Sequence, residues 1–107
     1  EALRVIECLK KSGLEIKDIK LFMDWYAEGP ATYADRFQLF RKQKESVEAE
    51  IKQLHKTLDM LKFKCWYYSK AIEDGNEDTA KASIPNGLPE DIRAAYDNSH
   101  TQFSDNK

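Results

Sequence analysis

Little in this sequence can interrupt a helix. Four glycines and three prolines serve 107 residues, and the stretch from Thr32 to Asp74 has neither. Cysteine is equally scarce. The two present, Cys8 and Cys65, are far apart and in no CxxC, so they build no disulfide framework and point to a reducing, cytoplasmic setting. No apolar run approaches the ~20 residues of a transmembrane helix, and no signal peptide precedes the first charged turn, so no membrane partner is expected. Neither sign of charge dominates. With 17 Lys and Arg against 19 Asp and Glu the net charge is −2, which offers nucleic acid no broad basic field. There is no Ser/His/Asp order and no Gly-rich phosphate loop, and the carboxylates fall on charged faces, so neither enzymatic catalysis nor a cofactor is expected. Beyond Gly75 there is no cysteine and only His100, which also argues against a metal site.

What the chain does have is one long periodic stretch, and everything else is arranged around it. Its apolar residues are Phe37, Phe40, Val47, Ile51, Leu54, Leu58, Leu61, Cys65, Tyr68 and Ile72. From Val47 onward the steps alternate four, three, four, three, which is a heptad seam. Some 40 residues of helix would run about 60 Å. The remaining residues are too few to cover that length, so a second copy is the expected cover. Part of the stripe is expected to fold back on the chain's own short helices.

The seam also indicates polarity. Phe37, Lys44, Ile51, Leu58, Cys65 and Ile72 take the a positions, and Phe40, Val47, Leu54, Leu61 and Tyr68 the d positions. In an antiparallel pair a faces d across the interface. Setting Leu58 against Leu54 of the second copy then pairs Ile51 with Leu61, Cys65 with Val47, Lys44 with Tyr68 and Ile72 with Phe40. The flanking positions agree, since Glu48 meets Lys62 and Glu50 meets Lys64. A parallel pair would match Gln43 with Glu48, Glu50 with His55 and Lys64 with Ser69, with no acid–base pair at neutral pH. Exposed pairs are worth only about 0.3–1 kcal/mol each, so they select orientation while the buried seam supplies the stability. The expected fold is all-α: two short helices, then one long helix forming an antiparallel coiled-coil dimer centred near Lys56, then a short C-terminal helix.

The flanking segments follow from their punctuation. Residues 1–12 carry Ala2, Leu3, Val5, Ile6 and Leu9 on one side of a helix that Gly13 ends. A second helix, Glu15 to Glu28, is apolar nearly all round and is expected to be sandwiched between other elements. Gly29-Pro30 stops it, and Thr32 is expected to cap the long helix with Asp35 three residues on. The tail from Asn76 is polar. Within it, Leu88 to Tyr96 reads as one short helix with Pro89 at its first position, docking on the long helix through Leu88, Ile92 and Tyr96. The last ten residues are expected to fray. The domain reading is therefore a helical pair over 1–30, a dimerisation helix over 31–75 and a polar tail over 76–107. Because the chain opens in mid-pattern without Met, a fragment lacking its N-terminal part is expected.

One pattern in the first half is familiar. Leu3, Ile6, Leu9, Gly13, Ile16, Ile19, Phe22, Gly29, Thr32, Arg36 and Leu39 fall in the order LxxIxxLKxxGxxLxxIKxFxxxxxxGxxTxxxRxxLL, leading into a long helix. That run resembles the C-terminal half of MerR-family transcription regulators, over about residues 2–74 and not in the tail. Two positions depart from the pattern: Glu15 stands where a Ser or Thr cap is usual, and Ile16 replaces the usual Leu. The winged helix-turn-helix that precedes this segment in the family is not in the sequence. The resemblance implies a homodimeric regulator that contacts promoter DNA through that preceding domain and RNA polymerase indirectly. It also implies that a small-molecule effector acts by changing the dimer's geometry, with the helices of residues 1–30 bracing the DNA-binding head.

Candidate effector residues follow from the same resemblance. Cys8, in IECLKKSG beside Lys10 and Lys11, resembles the single cysteine of the aldehyde- and thiol-stress-responsive branch. The competing reading is a half-buried structural cysteine. Cys65 is a second sensing candidate, although a small apolar group also suits an a position. Trp25, Tyr26, Trp66 and Tyr67 are candidates for the wall of an effector pocket; the competing reading is a plain packing cluster. A different function class also fits the residues: a free-standing helical dimer acting as an adaptor.

Overall fold

The computed structural model describes residues 2–101, and among these every regular element is helical. In chain order they are α1 (Ala2–Lys11), α2 (Ile16–Glu28), a 3₁₀ turn (Pro30–Thr32), α3 (Tyr33–Asp74), α4 (Asp78–Ala82) and α5 (Glu90–His100). The two short helices, the long one and a C-terminal helix stand where the sequence places them. α4 was not expected: it is only five residues long and buries little beyond Ala80. The chain divides into two compact units, Glu1–Ile51 and Lys52–Lys107.

The first unit is built from α1, α2 and the opening half of α3. α1 ends where Gly13 takes a positive φ of 91°, with the Gly13 and Leu14 amides donating to the carbonyls of Lys10 and Leu9. Leu9 is the most buried residue of this unit. The side-chain amide of Gln43 donates to the Ser12 carbonyl at 2.7 Å, tying the end of α1 to α3. α2 meets α3 through Phe22 and Phe40, edge to face at 5.4 Å. The sandwiching expected of α2 is not seen. Ile19 alone is buried and Phe22 and Trp25 are half-buried, while Ile16, Leu21, Met23 and Tyr26 are exposed, because α1 and α3 cover only part of the helix.

The turn into α3 also differs from expectation. Thr32 does not cap α3 in a box with Asp35. Its amide closes a 3₁₀ turn onto the Gly29 carbonyl, and its hydroxyl points back at the carbonyls of Trp25 (2.6 Å) and Gly29 (2.8 Å). Arg36 completes this corner. Its Nε donates to the Thr32 hydroxyl and its Nη2 to the Gly29 carbonyl, and the guanidinium lies over the rings of Tyr26 and Tyr33. The hydroxyl thus locks the end of α2 instead of starting the next helix.

The second unit is the rest of α3 with the tail wrapped on it. Phe63, Tyr67, Ala80, Leu88 and Ile92 form the buried cluster, with Met60, Trp66, Ile84 and Tyr96 packed around it. The docking face expected of Leu88, Ile92 and Tyr96 is therefore present; Tyr96 meets Phe63 edge to face at 5.0 Å. α5 starts one residue later than expected, with Pro89 as its N-cap, and continues to His100. Residues 98–100 are thus helical where fraying was expected, and residues 102–107 lie outside the described residues. Lys56, 6% exposed, donates to the Asn98 carbonyl (3.2 Å) and the Thr101 hydroxyl (3.3 Å) at the C-terminal end of α5, where a cation suits the helix dipole. Asn98 in turn donates to the Asp59 carboxylate at 2.6 Å.

Candidate functional site

Every residue the tail covers on α3 belongs to one side of it. Lys56 and Phe63 take f positions of the heptad, Met60 and Tyr67 c positions, and Asp59 and Trp66 b positions. The a and d residues of the same stretch stay bare: Ile51, Leu54 (67% exposed), Leu58, Leu61, Cys65, Tyr68 and Ile72 (82% exposed). The folding back of the stripe onto the chain's own helices is confined to the first unit, where Val47 is half-buried and Phe40 meets Phe22. From Ile51 to Ile72 the seam is an apolar face that no described residue of the chain covers.

In the first unit an open hollow of about 280 Å³ lies where α1 meets α3. Cys8, Leu9 and Ser12 form one wall, and Phe40, Gln43, Lys44, Val47 and Glu48 the other. The second wall consists of d, g, a, d and e positions in turn, the set from which a coiled coil builds the hole that receives a partner's knob. Cys8 is exposed and unpaired at the rim. Lys44 pairs with Glu48 at 3.9 Å along the outer edge, both well exposed. The heptad assignment carried the signal for Phe40 and Val47. It could not show that α1 supplies Cys8 as the facing wall, because that depends on how α1 packs.

The aromatic candidates belong to both units, Trp25 and Tyr26 to the first and Trp66 and Tyr67 to the second. Tyr26 lines an apolar hollow of about 230 Å³ with Val5, Phe22 and Met23, whereas Trp25 lines a different one, beside Leu14, Leu21, Asp35 and Leu39. Trp66 and Tyr67 both pack in the second unit's cluster. The Tyr67 hydroxyl donates to the Glu77 carboxylate at 2.6 Å. That hydrogen bond, with burial and the nearby negative charge, pushes the Tyr67 hydroxyl from 10.0 up to about 12. Lys64 lies over the rings of Phe63 and Tyr67. Among the described residues no group of three or more His, Cys, Asp or Glu is placed to hold a metal ion, and no helix is long and apolar enough to cross a membrane.

Comparison with known proteins places this arrangement. The family model described as "MerR, DNA binding" matches residues 1–62, more than half of the chain. A protein of Haemophilus influenzae described as an "Uncharacterized HTH-type transcriptional regulator" is 38% identical over 69 residues, which is 64% of this chain and 51% of that protein. The chain thus spans about half the length of the curated relative it matches. No solved structure matches. With the Leu3-to-Leu39 pattern, the α1–α2–α3 order and this family match in agreement, the chain belongs to the MerR family.

Proposed function

We propose that this chain is the dimerisation and effector-sensing portion of a DNA-binding transcription regulator, one that answers a reactive small molecule by changing the geometry of its dimer at a promoter. The bare a and d seam of α3 carries this reading. The described part of the tail occupies the opposite side and leaves the stripe from Ile51 to Ile72 exposed. A second copy running antiparallel suits the stripe, because it sets Glu48 against Lys62 and Glu50 against Lys64. The interface would comprise Phe40, Val47, Ile51, Leu54, Leu58, Leu61, Cys65, Tyr68 and Ile72. In such a dimer the rod fixes the spacing of whatever each copy carries ahead of α1, and a promoter is bound only when its shape matches that spacing.

Residues 1–30 act as the brace between that head and the rod, residues 31–75 as the dimerisation helix, and residues 76–107 as the tail that closes the rod's outer side. Cys8 is the sensing thiol we favour, since it is exposed beside an open hollow, and Cys65 is the second. Trp25 and Tyr26 of one copy, with Trp66 and Tyr67 of the other, are the candidates for the walls of an effector pocket where the end of one long helix meets the partner's head. Promoter DNA, engaged through a winged helix-turn-helix ahead of residue 1, RNA polymerase and a small effector are the partners this reading requires.

Two observations test it. The genomic sequence directly upstream of Glu1 is expected to encode a winged helix-turn-helix; a start codon there would remove the DNA-binding part of the reading. Titration of the folded protein with a thiol-reactive aldehyde is expected to give a mass-spectrometric adduct at Cys8. A folded protein whose Cys8 stays unmodified would remove its sensing role.

A further inference from the structure

We infer that Cys65 of the partner subunit meets Cys8 at the Val47 end of this hollow, so that each dimer holds two inter-subunit thiol pairs that oxidise to disulfides. This rests on the antiparallel reading above and goes beyond it by naming what Cys8 meets. Two features together bring these thiols into reach. The hollow runs along α3 from Phe40 to Glu48, and both Val47 and Cys8 of α1 line it. The register that matches the flanking charges, taken from Glu48, Glu50, Lys62 and Lys64 alone, sets the partner's Cys65 against Val47. Both thiols are exposed and unpaired within one chain. The placement is exacting. A disulfide needs its Cα atoms about 4.4–6.8 Å apart, and slipping the register by one heptad would move the partner's Cys65 by about 10 Å.

The chemistry balances with a peroxide as oxidant. One thiolate of the pair attacks the peroxide oxygen, forming a sulfenic acid and releasing hydroxide. The other thiolate then attacks that sulfur, forming the S–S bond and releasing a second hydroxide. Two thiols and one hydrogen peroxide thus become one disulfide and two waters. The product would staple each α1 to the partner's α3, fixing the brace whose position the proposed regulator reads out.

The test is to treat the purified protein with equimolar hydrogen peroxide, block the remaining thiols, and map non-reduced tryptic peptides. Val5–Lys10 is expected joined to Cys65–Lys70, with most of the protein running at twice the chain mass of 12.4 kDa. Cys8→Ser and Cys65→Ser should each abolish that species. Joining of Cys65–Lys70 to its own copy, or recovery of both thiols on uncoupled chains, would overturn the inference. A register control separates the two claims. With Cys8→Ser and Cys65→Ser in place, Glu48→Cys combined with Lys62→Cys should also cross-link between chains. If the control links and the native thiols do not, the thiol pair falls and the dimer stands; if neither links, both fall.

Discussion

Within the second unit, two sides of one helix face opposite fates. On the b, c and f side of α3, Phe63 is 2% exposed and Tyr67 is buried against Ala80, Leu88 and Ile92. On the a and d side, a comparable number of large apolar residues, from Leu54 to Ile72, are left exposed by the described residues. The first side is the core of a folded unit. The second has the spacing, the apolar content and the flanking charges of an interface. A helix apolar on two sides calls for two covers, and the described residues supply one of them. The tail therefore does more than decorate the rod. By occupying the outer side it leaves the seam as the surface on which a second copy can settle.

Substitutions on each side should separate these roles, and the largest effect belongs to the filled one. Phe63→Ala removes the centre of the cluster and should cost about 3–5 kcal/mol of the second unit's stability, read as an earlier urea transition with α4 and α5 lost first. Leu58→Asp, on the bare side, should leave the helicity of the single chain unchanged. It should weaken dimerisation at least ~100-fold, about 2.8 kcal/mol, measured by sedimentation equilibrium. If Leu58→Asp instead unfolded the tail, the division between the two sides would be wrong.

Smaller effects sharpen the same contrast. Tyr67→Phe removes the hydrogen bond to Glu77 and should lower Tm by a few degrees at neutral pH. Because the folded-state value lies above the unfolded one, this contribution is fully present below pH 10. It should be lost as pH rises from 10 to about 12, so wild type and Tyr67→Phe should converge over that window in denaturant titrations. Smallest of all, Glu48→Lys should weaken the dimer by about 0.3–1 kcal/mol, and Lys62→Glu in the same chain should restore it. Failure of that restoration would remove the charge argument for orientation.

The sequence made some of this plain because local chemistry decides it. Gly13, Gly29-Pro30 and Gly75 punctuate the helices by backbone geometry alone, and the seam from Val47 to Ile72 shows in its spacing. The docking of Leu88, Ile92 and Tyr96 was readable for the same reason. Three features were not. Thr32 looks like a cap, but whether its hydroxyl serves the helix ahead or the one behind depends on Arg36 arriving to bond it. Lys56 looks like one more charge on a solvated face until Asn98 and Thr101, more than forty residues later, close over it. Aromatics one or two residues apart, such as Trp25 and Tyr26, look like one cluster yet line different hollows, because neighbours on a helix point about 100° apart. Each depends on contacts made after the helices pack, which a periodic pattern cannot encode.

The claim on which the rest depends is that a second copy closes the seam and runs the opposite way. A spin label at Ser69→Cys, in a chain carrying Cys8→Ser and Cys65→Ser, reads both parts at once by pulsed dipolar spectroscopy. An antiparallel pair in the proposed register predicts a single distance of about 40 Å between the two labels. A distance under about 20 Å, as parallel rods would give, or no dipolar coupling at all at micromolar concentration, would contradict it.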